Sequence, residues 1–360
     1  MGLQSLELRN FRLFRELQLE PDPFAVTVLL SPNGTGKTSV LEAVYALATA
    51  SSFRTTSAAD MIRNDDSVAE IHGVLLHRER RLQVDLTLTR GARNVVKRML
   101  VNNQKPRSRA DLAEALPVTV FTPEGVDMIR HGPDGRRHFL TTLMTDVFIH
   151  ANDVVERFER TLRQRNAVLR AAQGFALSAD TVRELDVWTN DFVVVSEELL
   201  TVRRGIVQRL EPLVADNYRE LSHSDAPVKV TYETSWTGDL RNALAASLED
   251  DRYRGYTTVG PHRDDIVVTL DGRDARRQAS QGEQRSLALA LRLGGHALVR
   301  DERSVDPLLL LDDVFSELDP LRSERLLQLL PKGQTLVSTA SPLPAAMTPA
   351  AVIDLVSYRS

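Results

Sequence analysis

The stretch Ser31-Pro32-Asn33-Gly34-Thr35-Gly36-Lys37-Thr38 decides the fold class of this 360-residue chain. It matches seven of the eight positions of the phosphate-loop pattern G-x-x-x-x-G-K-[ST], with Ser31 in place of the first glycine. The two glycines let backbone N–H groups point at phosphate oxygens, and a helix that begins at Thr38 adds its positive end. The motif predicts that Lys37 contacts the β- and γ-phosphates of ATP and that the Thr38 hydroxyl binds Mg²⁺.

The residues on either side of this loop have the patterns that the motif requires. Residues 25–30 are a continuous β-branched and leucine run, which is typical of a buried strand in a parallel sheet. After the loop, Leu41, Val44 and Leu47 recur at helical spacing and predict a helix over about residues 38–50. A strand, a glycine loop and a helix in this order favour a phosphate loop over an ordinary surface turn.

Two carboxylates follow a second buried strand far downstream. The apolar residues 308–311 predict the strand, and Asp312 and Asp313 come directly after it. An acidic residue at the carboxyl end of such a strand is the Mg²⁺-side partner of a phosphate loop. We therefore assign Mg²⁺ binding to Asp312, and to Asp313 the role of a general base that polarises the attacking water. The two strands are expected to be neighbours in one sheet, so that Asp312 lies beside the loop.

A third segment, Ala279-Ser280-Gln281-Gly282-Glu283-Gln284-Arg285, leads into a helical pattern that runs to about residue 299. Ser280 and Gly282 supply a hydroxyl and an unobstructed N–H at a helix N-terminus, where anions bind. The same residues also suit an ordinary helix N-cap, and taken alone this second interpretation is the favoured one.

The rest of the chain is first β-rich, then helical, then β-rich again. Residues 3–19 predict two short strands, and residues 69–101 alternate with period two and predict an antiparallel β meander. Residues 126–256 are mostly helical, with two long helices that form an antiparallel hairpin. Strand signals then return. This order predicts an α/β protein whose ATPase lobe is residues 1–125 plus 257–360, with an antiparallel β subdomain and an inserted helical lobe of residues 126–256.

These segments, in this order, resemble the ATP-binding-cassette ATPases, and in particular their SMC-like DNA-repair branch. Ser316-Glu317-Leu318-Asp319 is similar to the D-loop of that family, and Leu8-Arg9-Asn10-Phe11-Arg12 is similar to its opening strand and turn. Further segments resemble the recombination mediators of the branch, namely Ser52-Phe53-Arg54, Phe121-Thr122-Pro123-Glu124, Gly132-Pro133 with Arg136-Arg137, and Thr258-Val259-Gly260-Pro261-His262-Arg263-Asp264-Asp265. The resemblance implies a two-lobed, SMC-head-like cassette ATPase.

The resemblance also implies what the residues do. Besides the phosphate loop, it implies nucleotide contacts from Arg12, Ser39 and Glu283. It implies that Ser280 and Gly282 contact the γ-phosphate held by a second subunit, in an ATP-driven, head-to-tail homodimer. Such proteins bind double-stranded and gapped or junction DNA, with a weak, DNA-stimulated ATPase that acts as a switch. They work with RecR and, through it, RecO to help load RecA at single-strand gaps.

Three departures from the family pattern favour slow turnover. Ser31 stands where glycine is usual, and the family's glutamine has no counterpart, since Glu124 or Asp127 occupies its neighbourhood. The switch histidine near the last strand is replaced by Ser338 or Thr339. A slow, switch-like ATPase fits these residues better than a fast one.

One basic segment is a candidate for binding DNA. The net charge of -4, from 45 basic and 49 acidic residues, excludes a globally basic nucleic-acid coat but allows local basic surfaces. The basic residues between positions 93 and 109 are Arg93, Lys97, Arg98, Lys105, Arg107 and Arg109. No acidic or aromatic residue lies among them, so we expect salt-sensitive contacts to the DNA backbone and no base stacking.

Composition excludes several other classes of protein. The chain has no cysteine, which excludes disulfides, thiol catalysis and zinc–thiolate sites. No stretch reaches the ~18 consecutive apolar residues of a membrane span, and the first ten residues contain no apolar signal core. We therefore expect a cytoplasmic protein without a membrane partner.

Two other functions stay open at this stage. One is a cassette ATPase that drives a non-DNA partner, which the long helical insertion and the segment 260–265 disfavour. The other is an architectural DNA-binding protein with a vestigial ATP site, which the intact Lys37, Asp312 and Asp313 disfavour.

Overall fold

The computed structural model describes residues 2–77, 80–106, 116–122, 125, 127–148, 150–174 and 178–358. The chain divides into two compact units. The first holds Met1–Gly125, Glu220–His223 and Gly295–Ser360, and the second holds Val126–Arg219 and Ser224–Gly294. Residues 257–294 lie in the second unit, where the strand Asp265–Leu270 pairs with Val228–Glu233, and the lobe bounds expected from the sequence stay a prediction.

The elements follow in chain order. The strands are β1 (Gly2–Phe11), β2 (Phe14–Leu19), β3 (Val26–Leu30), β4 (Val68–His77), β5 (Arg80–Arg90), β6 (Val95–Val101), β7 (Val118–Phe121), β8 (Val228–Glu233), β9 (Asp265–Leu270), β10 (Arg273–Asp274), β11 (Leu308–Asp312), β12 (Thr335–Thr339) and β13 (Ala351–Ile353). The helices are α1 (Lys37–Thr49), α2 (Asp127–Arg130), α3 (Pro133–Val147), α4 (Ala151–Ala171), α5 (Ala179–Ser222), α6 (Leu240–Ala246), α7 (Leu248–Arg254), α8 (Ala275–Gln278), α9 (Gln281–Arg303) and α10 (Pro320–Leu329). In the described parts of the chain, no helix is both long and apolar enough to cross a lipid bilayer.

The first unit contains an antiparallel sheet of five strands in the order β2-β1-β4-β5-β6. The predicted strands of residues 3–19 and the predicted meander are both confirmed, and they join one sheet through the pairing of β1 with β4. Alternate side chains such as Leu6, Leu8 and Leu86 are buried in the core, which explains the period-two pattern.

The second sheet of this unit is parallel and has the order β13-β3-β12-β11-β7. The apolar residues 308–311 are at most 2% exposed, because β11 is an inner strand between β12 and β7. The expectation that the loop strand and the acidic strand are neighbours is wrong, because β12 lies between β3 and β11. Crossover connections set the strand order of a parallel sheet, and no local pattern reports it. The carboxyl ends of the three strands still meet at one edge.

In the second unit, α4 and α5 form the predicted antiparallel hairpin. Phe158 of α4 packs against Phe192 of α5 with ring centroids 5.4 Å apart, and Leu169 lies in one apolar cluster with Leu185. The expectation of a mostly helical region is incomplete, because β8 pairs with β9 in a three-stranded sheet of order β10-β9-β8. β8 has only six residues, and so short an alternating run is easily missed between helical patterns.

A polar network holds the segment 258–265 in place within the second unit. The guanidinium of Arg165 donates hydrogen bonds to Asp251 Oδ2 (2.8 Å) and to Thr257 Oγ1 (2.6 Å). Asp251 Oδ1 accepts from the backbone N–H of Thr258 at 2.8 Å. Arg136 and Asp265 form a two-pronged ion pair with N···O distances of 2.8 and 2.7 Å. This segment, one of those that carried the family resemblance, therefore connects helices and strands within this unit.

His296 of the first unit is buried and His262 of the second is half-buried, and both give folding a pH dependence. Burial lowers the pKa of His262 and of His296, each to about 4. The unfolded chain takes up these protons near pH ~6.5, so stability is expected to fall as the pH decreases from ~6.5 towards 4. At about pH 5.5 the expected loss is about 1 kcal/mol for each histidine. Urea unfolding near neutral pH and at about pH 5.5 checks this. A His262→Gln variant with the same pH dependence as the unmodified chain would contradict it.

Candidate nucleotide-binding site

The loop between β3 and α1 turns sharply at two glycines. Gly34 and Gly36 have φ angles of 78° and 101°, in the left-handed region that other residues avoid. At Gly36 a Cβ atom would also lie 2.5 Å from Phe14 Cζ, whereas at Gly34 it would meet nothing within 4 Å. Since α1 begins at Lys37 and has 13 residues, the loop stands at the N-terminus of a regular helix. The backbone therefore has the geometry of an anion-binding site.

The two glycines provide a matched pair of variants. Gly34→Ala is expected to reduce the free energy of unfolding by about 1–2 kcal/mol, because only the backbone is strained. Gly36→Ala adds a clash between the new Cβ and the Phe14 ring, so its expected loss is about 3–4 kcal/mol. Urea unfolding of the two variants measures the difference, and equal losses would show that Phe14 does not constrain the loop.

Lys37 is a buried cation at the start of α1. Its Nζ atom donates hydrogen bonds to the carbonyl oxygens of Ser31 (2.6 Å) and Pro32 (2.9 Å). Burial lowers the pKa of this ammonium, and the carboxylates of Asp313 and Asp312 offset part of that effect. The ammonium group therefore lies inside the loop and is bound only by neutral carbonyl oxygens in these two hydrogen bonds. An anion would bind it more strongly than these oxygens do.

Asp312 is the last residue of β11 and is buried. Its Oδ1 atom accepts hydrogen bonds from Thr38 Oγ1 at 2.9 Å and from Ser338 Oγ at 2.5 Å. Ser338 lies on β12, the strand between β3 and β11. The two residues predicted to bind Mg²⁺, Thr38 and Asp312, are thus in direct contact. Hydroxyl and carboxylate oxygens are donors that Mg²⁺ prefers, so the residues fit that ion.

Asp313 turns away from the strand that precedes it. Its φ is 48°, and its backbone N–H donates to the carbonyl oxygen of Ser338 at 3.0 Å. Its Oδ1 atom is buried and has no hydrogen-bond partner among the described residues. Its charge acts on Lys37, whose pKa it raises. A carboxylate oxygen without a donor can accept a proton, which is what a general base requires.

Arg12 and Ser39, the nucleotide contacts expected beyond the motif itself, line one pocket of about 530 Å³ in the first unit. The Arg12 guanidinium donates to both carboxylate oxygens of Glu42, at 2.7 and 2.5 Å. Glu42 is fully buried on α1 and also accepts from Ser52 Oγ at 2.5 Å. Sequence reasoning missed Glu42, although it is the only acidic residue in the amphipathic run of residues 38–50.

Known proteins resemble this chain over almost its whole length. A family model described as the RecF/RecN/SMC N terminal domain matches residues 2–342. The DNA replication and repair protein RecF of Acidothermus cellulolyticus is 37% identical over 355 residues, which cover 95% of this chain and 94% of that protein. This chain belongs to the RecF family.

Further relatives support the RecF assignment and the fold. RecF of Heliobacterium modesticaldum is 33% identical, covering 91% of this chain and 88% of that protein. A solved RecF–ATP structure, described as a recombination mediator of the RecFOR pathway, matches with a TM-score of 0.88 at 24% identity, over 98% and 95% of the two chains. The Smc head domain of Pyrococcus furiosus matches with a TM-score of 0.51 at 13% identity, over 94% and 90%. These likenesses confirm the predicted SMC-head-like fold, with its antiparallel sheet and helical insertion.

In this RecF-family chain the Ser280 segment lies in the second unit and caps α9. The Ser280 N–H donates to Glu283 Oε2 at 2.6 Å, and the Glu283 N–H donates to Ser280 Oγ at 3.3 Å. This reciprocal pair is a capping box, so the capping interpretation that the sequence left open is confirmed. Ser280 is exposed. Contacts of Ser280, Gly282 and Glu283 with nucleotide stay predictions.

The basic segment of this RecF-family chain lies on β6 and in the turns that flank it. The exposed members are Arg93, Lys97, Arg98 and Lys105. Lys97 Nζ also donates to the Ala50 carbonyl oxygen at 2.7 Å. Arg107 and Arg109 lie outside the described residues, as does Glu124. The exposure of the four described side chains suits phosphate contacts, and DNA binding at this segment stays a prediction.

Proposed function

We propose that this chain is an ATP-dependent, DNA-binding recombination mediator in DNA repair, whose weak ATP hydrolysis acts as a switch. The observation that carries the proposal is the convergence of Lys37, Thr38, Asp312 and Asp313 at one edge of a parallel sheet. The RecF relatives are named DNA replication and repair proteins, and the similar solved structure is described as RecF–ATP, a recombination mediator. Both descriptions support the same function.

The site would bind ATP through its phosphates, its nucleoside and its Mg²⁺ ion. Loop N–H groups and Lys37 would hold the β- and γ-phosphates, with Lys37 exchanging its two carbonyl partners for phosphate oxygens. The pocket beside Arg12 and Ser39 would take the nucleoside, since its volume of about 530 Å³ suits a small-molecule ligand. Thr38 and Asp312 would hold Mg²⁺, which neutralises phosphate charge when it is bound.

Hydrolysis would depend on Asp313 and would be slow. Asp313 Oδ1, which has no donor among the described residues, would take a proton from the water that attacks the γ-phosphate. Ser338 stands near the position where the resemblance implies a histidine. Its hydroxyl donates to Asp312 Oδ1 at 2.5 Å and is therefore not available as a second polar group for the phosphate. This arrangement supports slow, switch-like ATP hydrolysis over fast turnover.

ATP would join two copies of the chain head to tail. Each copy would supply the exposed Ser280 and its neighbour Gly282 to the γ-phosphate held by the other copy. A ligand that contacts both subunits favours the dimer, and hydrolysis would remove the bridging phosphate. The dimer would bind double-stranded and gapped DNA. From family membership we further propose RecR, and through it RecO, as protein partners.

The dimer is tested with Ser280→Arg. This variant is expected to lose ATP-dependent dimerisation while its ATP affinity changes by less than about twofold, because Ser280 would contact only the partner's nucleotide. Ser178→Arg is the matched control, since Ser178 is also exposed and also caps a helix by accepting from the Thr181 N–H at 3.1 Å. Multi-angle light scattering with and without ATP measures the outcome. Normal dimers of Ser280→Arg would exclude the head-to-tail arrangement.

The switch is tested by DNA binding. Affinity is measured with ATP, with ADP and without nucleotide, on duplex, gapped and single-stranded DNA. ATP is expected to strengthen binding to duplex and gapped DNA about tenfold, and added salt should weaken it steeply. Equal DNA affinity under all three nucleotide conditions would exclude an ATP-gated DNA-binding protein.

A further inference from the structure

Ser31, the one residue that departs from the phosphate-loop pattern, holds the C-terminal turn of the chain. Its side chain is 4% exposed. The Ser31 hydroxyl donates to Asp354 Oδ1 at 2.8 Å and accepts from the backbone N–H of Leu355 at 2.7 Å. Ser31 is not among the residues with positive φ, so the loop does not need glycine there. The hydroxyl therefore makes two hydrogen bonds that a glycine at this position could not make.

The C-terminal turn is itself fixed to the parallel sheet. β13, which precedes it, pairs with β3, the strand that leads into the phosphate loop. Leu355 is fully buried in the core of the first unit. Asp354 Oδ1 also accepts from the Val356 N–H at 3.0 Å, and the N–H and hydroxyl donors lower the pKa of this carboxyl. The carboxylate is thus a charged acceptor at a fixed position, which strengthens its hydrogen bond with Ser31.

The backbone of Ser31 reaches the reactive part of the loop. Its carbonyl oxygen accepts from Lys37 Nζ at 2.6 Å, and its N–H donates to the Thr339 carbonyl oxygen at 3.3 Å. Ser31 therefore joins three parts of the first unit, namely the C-terminal turn, the end of β12 and the lysine of the phosphate loop. A shift of Ser31 would move the partner that holds Lys37.

We propose that Ser31 and Asp354 are positioning residues for ATP, which keep the phosphate loop in its binding shape by tying its first residue to the C-terminal turn. The inference rests on the proposed function, in that it assumes ATP as the ligand of the loop. A loop that is already ordered loses less conformational entropy when it binds. Replacing Ser31 by glycine would complete the phosphate-loop pattern and yet weaken ATP binding.

Equilibrium binding of a fluorescent ATP analogue to the full chain tests this inference. Ser31→Gly, Ser31→Ala and Asp354→Ala are each expected to weaken binding about five- to tenfold, the effect of one or two lost hydrogen bonds. The double variant Ser31→Ala with Asp354→Ala should lose less affinity than the two single losses combined, because the Ser31–Asp354 hydrogen bond that both changes remove is lost only once. Asp354→Asn, which keeps the acceptor oxygen, should restore most of the affinity.

Two controls separate positioning from a general loss of structure. Ser357→Ala removes a hydroxyl that donates to the Asp354 carbonyl oxygen at 2.6 Å, and it leaves the contact with Ser31 intact, so ATP affinity should not change. Urea unfolding of Ser31→Ala without ATP should show that the variant is folded under the binding conditions, so that weaker ATP binding reports the loop and not unfolded chain. If the unmodified chain binds ATP and Ser31→Ala and Asp354→Ala bind it equally well, this inference is wrong and the proposed function stands. If the unmodified chain binds no ATP, both are wrong.

Discussion

Replacing Asp313 with asparagine is expected to reduce ATP hydrolysis at least about a hundredfold, while ATP affinity changes by less than about twofold. An amide cannot take the proton of the attacking water, whereas its size and shape match the carboxylate that it replaces. The backbone should tolerate the change, because asparagine and aspartate are among the non-glycine residues that most often adopt a positive φ. The trapped ATP should also prolong the dimer, which light scattering can follow over time.

Asp271→Asn is the matched control for this variant. Asp271 has a φ of 52°, close to the 48° of Asp313, and it is exposed in the turn between β9 and β10. The same chemical change at a similar backbone position should leave hydrolysis unchanged. Phosphate release under single-turnover conditions measures both variants. An Asp313→Asn chain that hydrolyses ATP at the unmodified rate would assign the base to another group.

Replacing Asp251 with alanine is expected to reduce the free energy of unfolding of the second unit by about 3–5 kcal/mol. The side chains of Arg165 and Asp251 are 1% and 0% exposed, so the variant leaves a buried guanidinium without its charged partner. The N–H and hydroxyl of Thr258 lose their acceptor as well. The segment 258–265 should therefore lose its polar link, through Asp251, to Arg165 of α4.

Tryptophan fluorescence reports this effect selectively. The two tryptophans of the chain, Trp188 and Trp236, both lie in the second unit, so their emission during urea unfolding follows that unit. Asp250→Ala is the control, because Asp250 forms an exposed ion pair with Arg254 at 2.9 Å on the same helix. Its expected effect is within about 0.5 kcal/mol. Equal effects of the two variants would show that the Arg165–Asp251 pair does not stabilise the unit.

The loop and its two flanking elements could be predicted closely because their signals are local. The helix expected from residue 38 begins at Lys37, and the strand expected over 25–30 is Val26–Leu30. Glycines, an apolar run and a helical period all act within a few residues of one another, so a short window of sequence contains them. β8 was not predicted, because its pairing partner β9 lies more than thirty residues further along the chain and outside any short window.

Contacts between distant residues were decided only in three dimensions. Thr38 and Asp312 are 274 positions apart, and the Ser338 hydroxyl that also donates to Asp312 comes from a strand whose place in the sheet no pattern indicated. Ser31 and Asp354 are 323 positions apart. The sequence therefore showed Ser31 only as a departure from the phosphate-loop pattern. Residue types and spacings therefore predicted a nucleotide loop and a carboxylate for Mg²⁺, and they indicated the family. Which side chains hold these groups in place depended on tertiary packing, because a hydrogen bond between residues so far apart exists only once the sheet has brought them together.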